Sequence, residues 1–318
     1  MKPPYQVTNL IFKLVASISE RIGEVNAVHL YKPPAELRKK NRIKTIQSSL
    51  EIEGNTLSIE QITAIIENKR VIAPKRDILE VKNAIRVYNR LQEFDLYSFK
   101  SLCRAHKILM EGLVENPGTI RSKSVGIIKG NVLAHVAPPG KMVKPLLNNL
   151  FHYLKKDTDL LLIKSCVFHY EFEFIHPFID GNGRMGRLWQ TVILKKYSPV
   201  FEFLPIESLI KEKQVDYYKA LSKSDKAGNS TSFVEFMLEI INEALKELLK
   251  TKRINLTSSD RIILFKEKME SKSFSRLDYL RNFKDISSAT ASRDLKEAVK
   301  NAVLKKTGDK RTTQYKFK

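Results

Sequence analysis

Residues 169–190 read HYEFEFIHPFIDGNGRMGRLWQ, and three physical readings of them compete. In the first, His169, Glu173 and His176 recur at i, i+4 and i+7 on one helical face, with side-chain types that bind zinc. Pro177 follows His176 directly and biases it away from helical geometry, so the three need not align. In the second, Gly181, Gly183 and Gly186 spell the dinucleotide pattern GxGxxG, which requires a preceding strand and a parallel α/β alternation. The segment before it reads helical instead. The third reading uses every polar residue. Gly181–Asn182–Gly183 make a tight turn that opens a helix over 184–196, and the unpaired amides and positive dipole of a helix start form an anion cradle. Glycines let phosphates approach that backbone closely. Arg184 and Arg187 lie three apart, on one face over the cradle, and supply guanidinium contacts. Asp180 offers a hard oxygen ligand to Mg2+ bridging the phosphates. His176, whose ordinary pKa lies near neutrality, stands at the mouth of the loop as a base for a hydroxyl. Pro177 fixes the turn, and Phe178 anchors the loop in the core.

Outward from this stretch, helical periodicity dominates. Ile78, Val81, Ile85, Tyr88 and Leu91 recur at spacings of three or four and predict an amphipathic helix over 78–96. Similar patterns predict helices over 101–113, 143–155, 161–175, 185–196, 207–223 and 232–250. Residues 117–143, rich in Gly, Pro and β-branched side chains, break the pattern. A run from Val125 to Ile128, a Lys129–Gly130–Asn131 turn and a run from Val132 to Val136 read as a β-hairpin flap (about 120–137) with an edge open to an extended segment. The expected fold is therefore all-α with one small flap. After a linker near 251–258 come helices over 259–270, 275–283 and 287–303, then a strand, a Gly308–Asp309 turn and a strand. That is the element order of a winged helix. Ser287 or Ser288 caps its third helix, Arg293, Lys296 and Lys300 line the polar side, and Lys305, Lys306, Lys310 and Arg311 arm the wing for phosphates. The same order serves a protein-docking module with a solvated basic face. Two domains are expected, 1–250 and 251–318.

The 318 residues carry 56 Lys/Arg against 35 Asp/Glu, a net charge of +21 that suits nucleic acid, an anionic surface or a phosphorylated ligand. Residues 251–318 hold 18 Lys/Arg and 8 Asp/Glu, so +10 of that surplus falls in the second expected domain. No apolar run reaches the roughly 18 residues of a membrane span. Lys13, Ser17, Ser19 and Glu20 interrupt the apolar N-terminal stretch, which reads as a helix and not as a signal peptide. Cys103 and Cys166 are the two cysteines, and no CxxC occurs, so neither a disulfide framework nor a thiolate zinc site is indicated. A cytoplasmic protein is expected.

HPFIDGNGRMGR, residues 176–187, resembles the active-site motif HPFx(D/E)GNGRxxR of the Fic (filamentation induced by cAMP) family at every defined position. NRIKTIQSSLEIEGNTLS (41–58), the APPGK after the hairpin (137–141) and VDYYKALSKSDKAGN (215–229) extend the likeness over about residues 1–245. The resemblance implies a Fic-type helical bundle that moves AMP from ATP onto a Tyr, Ser or Thr hydroxyl of a target protein, the chain itself included. It implies that His176 is the general base and that Asp180 holds Mg2+. Gly181, Asn182 and Gly183 would bind the α- and β-phosphates, and Arg184 and Arg187 the outer ones. Val125, Gly126, Ile127 and Ile128 resemble the flap segment that aligns the target by strand pairing. Tyr217 and Tyr218 match a pair near the adenine, while Asp225 stands where some relatives carry Asn. Ser49 to Gly54, SLEIEG, match (S/T)xxxE(G/N), the family's inhibitory helix (about 44–54). Ser49 and Glu53 share a helical face, Gly54 ends the helix, and Glu53 near its tip would pair with Arg187 and block ATP placement. A DNA-binding regulator with a nucleotide-sensing domain, removal of AMP, and transfer of other phosphate groups are the alternatives.

Overall fold

The computed structural model describes residues 2–27, 35–123, 126–129, 132–250, 256–269, 273–283, 286–309 and 312–318, with the strands at 126–136 given by their backbone. The described residues are overwhelmingly helical. Helices α1 (Asn9–Ala27), α2 (Ala35–Glu51), α3 (Ile59–Ile66), α4 (Lys75–Tyr88) and α5 (Phe99–Leu109) precede the hairpin of β1 (Gly126–Lys129) and β2 (Val132–Val136). Then follow α6 (Gly140–Lys156), α7 (Leu161–Ile175), α8 (Asn182–Tyr197), α9 (Ile206–Glu212), α10 (Gln214–Ala227) and α11 (Thr231–Lys250). The last stretch holds α12 (Ser258–Met269), α13 (Arg276–Asn282), α14 (Ser288–Lys300) and the strands β3 (Leu304–Thr307) and β4 (Gln314–Phe317). Two compact units result: residues 1–31 with 39–250, and residues 32–38 with 251–318. No helix of the described residues is long and apolar enough to cross a membrane.

In the first unit α7 and α8 form the central pair. Helix α7 is buried on nearly every side, from Leu162 through Tyr170 to Ile175, as expected of a helix apolar all round. Gly186 lets α8 press against it: a β-carbon there would stand 2.7 Å from Glu173 Oε1 and 3.0 Å from His169 Cδ2. Around the pair, Phe151 meets Phe168 edge-on at 5.5 Å and Trp189 at 6.4 Å. Each such fully buried side chain contributes about 1.5–3 kcal/mol of apolar transfer, which makes this layer the rigid base of the site.

Two helices are shorter than their periodicity suggests. The pattern over 78–96 is helical only to Tyr88, and a 3-10 turn at Leu91–Glu93 takes over so that Leu91 and Phe94 both reach the core. Asn89, whose short amide competes with helical hydrogen bonding, sits at the break. The stretch 207–223 divides at Lys213 into α9 and α10. In the hairpin, Gly126 pairs with Val136 and Lys129 with Val132, with a register shift between Ile127 and Ile128. Lys129 thus belongs to a strand and not to the turn; Val125 lies outside the described residues.

The second unit packs α12, α13 and α14 against β3 and β4 around Phe265, Phe274, Tyr279, Leu295 and Phe317. Phe274, between α12 and α13, exchanges both backbone hydrogen bonds with Tyr315 (2.9 and 2.8 Å) and so adds a short third strand that the sequence pattern does not reveal. A buried ion pair ties the helices: Arg261 Nε and Nη2 donate to the two oxygens of Asp294 at 2.6 and 2.9 Å, and the Tyr279 hydroxyl donates to Asp294 at 3.1 Å.

Candidate active site

Helix α7 ends on His176, whose backbone is left-handed (φ 49°, ψ 62°). A non-glycine residue in that region, ahead of a proline, is held there at a cost of about 1–3 kcal/mol by its surroundings. Three bonds do the holding. The His176 amide donates to Phe172 O at 2.9 Å, Arg121 Nε donates to His176 O at 2.7 Å, and the Arg121 amide donates to Pro177 O at 2.9 Å. The chain then turns through Phe178–Gly181. Asn182 clasps this turn from within: its Oδ1 accepts from the Phe178 amide and its Nδ2 donates to Phe178 O, both at 2.9 Å. His106 stacks on Phe178 with centroids 3.6 Å apart. Its Nδ1 accepts from the Gly118 amide at 2.8 Å, so Nε2 carries the proton and donates to Asp180 O at 3.0 Å. Burial pushes the His106 pKa down to about 4, which keeps the ring neutral.

Beyond the turn, α8 starts from Gly181 (φ 85°), which has no side chain to cap it. Its first-turn amides have no partner within the helix, and the positive end of its dipole faces the loop. An anion already rests there. Glu53 follows the end of α2, its amide bonded to Leu50 O at 3.0 Å, and its carboxylate leans over Gly183. A β-carbon on Gly183 would fall 2.3 Å from Glu53 Oε1, so only glycine admits the carboxylate. The same oxygen accepts from Arg187 Nη2 at 2.8 Å. Arg187 also donates from Nε to Ser49 Oγ at 3.1 Å and from Nη2 to Ser49 O at 2.9 Å. Burial works against the Arg187 charge, yet Glu53 and then Tyr217 outweigh it and raise the pKa above the usual guanidinium value. Arg184 faces another way. It is buried between Glu80 Oε1 at 3.2 Å and Asp180 Oδ1 at 3.1 Å, and Asp180 Oδ1 also accepts from the Gly181 amide at 2.6 Å. Glu80 also reaches the chain beyond α2, since its Oε2 accepts from Asn55 Nδ2 at 2.9 Å, two residues after Glu53.

A crystal structure of a Fic family protein from Desulfovibrio desulfuricans G20 is 39% identical, covers 100% of this chain and 98% of that one, and superposes with a TM-score of 0.77. This chain belongs to the Fic family. The Fic/DOC family model matches residues 96–194, from just before α5 to the last turn of α8. Curated Fic relatives include the protein adenylyltransferase fic-1 of Caenorhabditis elegans, 24% identical over 265 residues, 79% of this chain and 49% of that protein. The protein adenylyltransferase Fic of Nematostella vectensis is 26% identical over 238 residues, 70% of this chain and 53% of that protein. The chain spans about half the length of these curated relatives.

The Fic loop thus runs from His176 at the end of α7 to the first turn of α8, where Asp180 meets Arg184 and Glu53 meets Arg187 over Gly183. The Asn182 side chain closes the loop, and its backbone amide stays in the first turn of α8. Arg184 and Arg187 do not act as a matched pair, because their guanidiniums turn to different carboxylates. Tyr217 is buried, its hydroxyl donating to His169 Nε2 at 3.2 Å, while His169 Nδ1 donates to Gln190 Oε1 at 2.8 Å. The ring of His169 is thereby committed to the core, and burial drives its pKa down to about 3. Among the described residues no three His, Cys, Asp or Glu side chains could hold a metal ion together. Tyr218 is half-buried beside Gln214 and the Glu53–Arg187 pair; burial raises its phenol pKa. Asp225 accepts from the Tyr170 hydroxyl at 2.9 Å. Arg121, His106 and Glu80 were not foreseen. Their bonds to His176, Asp180 and Arg184 span 55, 74 and 104 positions respectively, and no local spacing marks them.

Proposed function

We propose that this Fic protein transfers AMP from ATP to a hydroxyl of a target protein and that Glu53 restrains it. The observation that carries the proposal is the Glu53 carboxylate lying on bare Gly183 and bonded to Arg187: the fold has built an anion site and filled it with its own anion. With Glu53 withdrawn, the first-turn amides of α8 and the freed Arg187 bind the phosphates. His176 takes the proton of the target hydroxyl. The oxygen then bonds to the α-phosphorus as the bond to the β-phosphate oxygen breaks, and pyrophosphate leaves. Amides already aimed at the phosphates need no reorganisation, which is the source of electrostatic rate enhancement. Asp180, whose side chain is 40% exposed, has the oxygen chemistry to hold Mg2+, an ion that takes one or two carboxylates and completes its shell with phosphate oxygens and water. Bound there, the ion would neutralise triphosphate charge. Tyr217 and Tyr218 border the expected adenine side, and the 126–128 strand offers its edge to the target chain.

The test is incubation with Mg2+ and ATP labelled at the α-phosphate. Glu53→Gly should label itself or a protein in a lysate well above wild type, and His176→Ala in that background should abolish the label. Equal labelling of wild type and Glu53→Gly would refute the restraint, and labelling without His176 would refute the mechanism. Labelling from γ-phosphate instead would make it a kinase, and Glu53-dependent loss of a preformed AMP label would make removal its reaction.

A second reading concerns the other unit, which we propose to be a winged helix that binds duplex DNA. Three helices, the Phe274 strand between the first two, and a closing hairpin support the architecture. Exposed Arg293, Lys296 and Lys300 on α14 and Lys305 and Lys306 on β3 give it a basic edge; Lys310 and Arg311 lie outside the described residues. A duplex retarded by the full chain but not by a chain lacking 251–318, with salt-sensitive affinity, supports it; equal retardation by both overturns it.

A further inference from the structure

Arg121 is buried, only 3% exposed, on the chain between α5 and the hairpin. Every donor group of its guanidinium is given to a backbone carbonyl. Nε donates to His176 O (2.7 Å), Nη1 to Lys123 O (2.7 Å), and Nη2 to both Pro138 O (2.7 Å) and Ile175 O (3.0 Å). Those four carbonyls come from three places: the C-terminal end of α7, the segment entering β1, and the segment leaving β2. The α7 end carries the negative pole of a helix dipole, where a cation is favoured. The amide of Arg121 adds a fifth bond, to Pro177 O. One planar, rigid fork therefore ties both feet of the hairpin to the residue whose left-handed backbone aims the imidazole.

We propose that Arg121 is a positioning residue that fixes His176 relative to the flap, and so fixes the base relative to any target strand aligned on that flap. The inference rests on the AMP-transfer reading for its consequence but not for its geometry. A target hydroxyl reaches His176 only if the segment holding it and the base are in register within a fraction of an ångström. The phosphate cradle, by contrast, is built from the first turn of α8 and Arg187, and the bonds of Arg121 go elsewhere. Loosening the tie should leave nucleotide binding intact and spoil the approach of the hydroxyl. Lysine cannot replace the fork, because a single ammonium with three donors cannot reach four carbonyls in one plane.

The test uses Arg121→Lys and Arg121→Gln in the full chain carrying Glu53→Gly. Self-labelling is followed from α-labelled ATP at increasing ATP concentration, with active sites counted by ATP binding. The expected result is a plateau rate lowered by about 10- to 100-fold, as misplacement by about 1 Å produces, at an unchanged half-saturating ATP concentration. An unchanged plateau per active site in Arg121→Lys overturns the proposal and leaves Arg121 a purely structural residue. Amide hydrogen exchange gives a readout independent of transfer. Peptides covering 119–123, 137–140 and 173–178 should all exchange faster in Arg121→Lys, with 206–250 unaffected. Faster exchange at the flap feet alone would refute the tie. If Glu53→Gly transfers no label at all, the AMP-transfer reading fails while the exchange data still decide the role of Arg121.

Discussion

Replacing Gly183 with alanine puts a methyl group where the Glu53 carboxylate rests, since the new carbon would fall 2.3 Å from Oε1. The nearest neighbours of that carbon are Glu53 and Arg187, so the movable party is the end of the Glu53 side chain. Pushing it aside breaks the 2.8 Å bond to Arg187. A charge-assisted bond of this kind contributes about 1.5–3 kcal/mol, and stripping one partner from a buried pair costs about 3–5 kcal/mol. Glu53 is 32% exposed and Ser49 still bonds Arg187, which places the expected loss at the lower end, about 2 kcal/mol. With Glu53→Gly already present there is nothing to evict. The alanine then gains its ordinary helix advantage over glycine, about 0.5–1 kcal/mol. The substitution should therefore reverse sign with background, a coupling of about 2.5 kcal/mol, where unrelated sites add to within about 0.5 kcal/mol. Urea unfolding of the four proteins reads it directly through Trp189, the chain's one tryptophan, fully buried on α8. The same destabilisation in both backgrounds would refute the placement of Glu53 in the cradle.

Ser49→Ala removes the acceptor of Arg187 Nε, and at about 1 kcal/mol of weakened restraint should raise self-labelling from α-labelled ATP roughly fivefold; an unchanged rate would leave Ser49 outside the brake. Burial holds the His106 pKa down to about 4 in the folded state, so its contribution is complete above about pH 6.5 and fades as pH falls toward 4, by a few kcal/mol at most. Unfolding midpoints of the first unit should drop across that window, and His106→Gln should flatten the drop; an unaltered slope would discount the neutral ring. Asp294→Ala leaves Arg261 buried without its partner, a loss of about 3–5 kcal/mol that should expose residues 256–318 to proteolysis while Trp189 still reports a folded first unit; full protease resistance would contradict that buried pair.

Much of the site was legible because its parts are consecutive. His176 to Arg187 occupy twelve positions, so proline, glycine and helix-start chemistry specify the loop locally, and periodicity specified α7 and α8 on either side. Helix lengths were less legible where packing overrides pattern. Leu91 continues the α4 spacing, yet it enters the core from a 3-10 turn because Asn89 ends the helix. The clasp made by the Asn182 side chain was not legible, since its two bonds to Phe178 are available only once the turn has closed. Arg121, His106, Glu80 and Phe274 were invisible for one reason. Each is an isolated residue in an unremarkable stretch, and its role is defined by a carbonyl, carboxylate or strand edge brought in by tertiary folding.

If Glu53 restrains transfer as proposed, the acid over Gly183 acts as a tethered competitor, because α2 and α8 belong to one chain. Dilution cannot remove it, and a nucleotide meets the same local concentration of it in every molecule. If the withdrawn form is a fraction f of the population, apparent nucleotide affinity is weakened by 1/f, so a 1% fraction would raise the apparent Kd about a hundredfold. Whatever pulls the C-terminal end of α2 away acts as a gain control on that fraction, and it need never touch the loop itself.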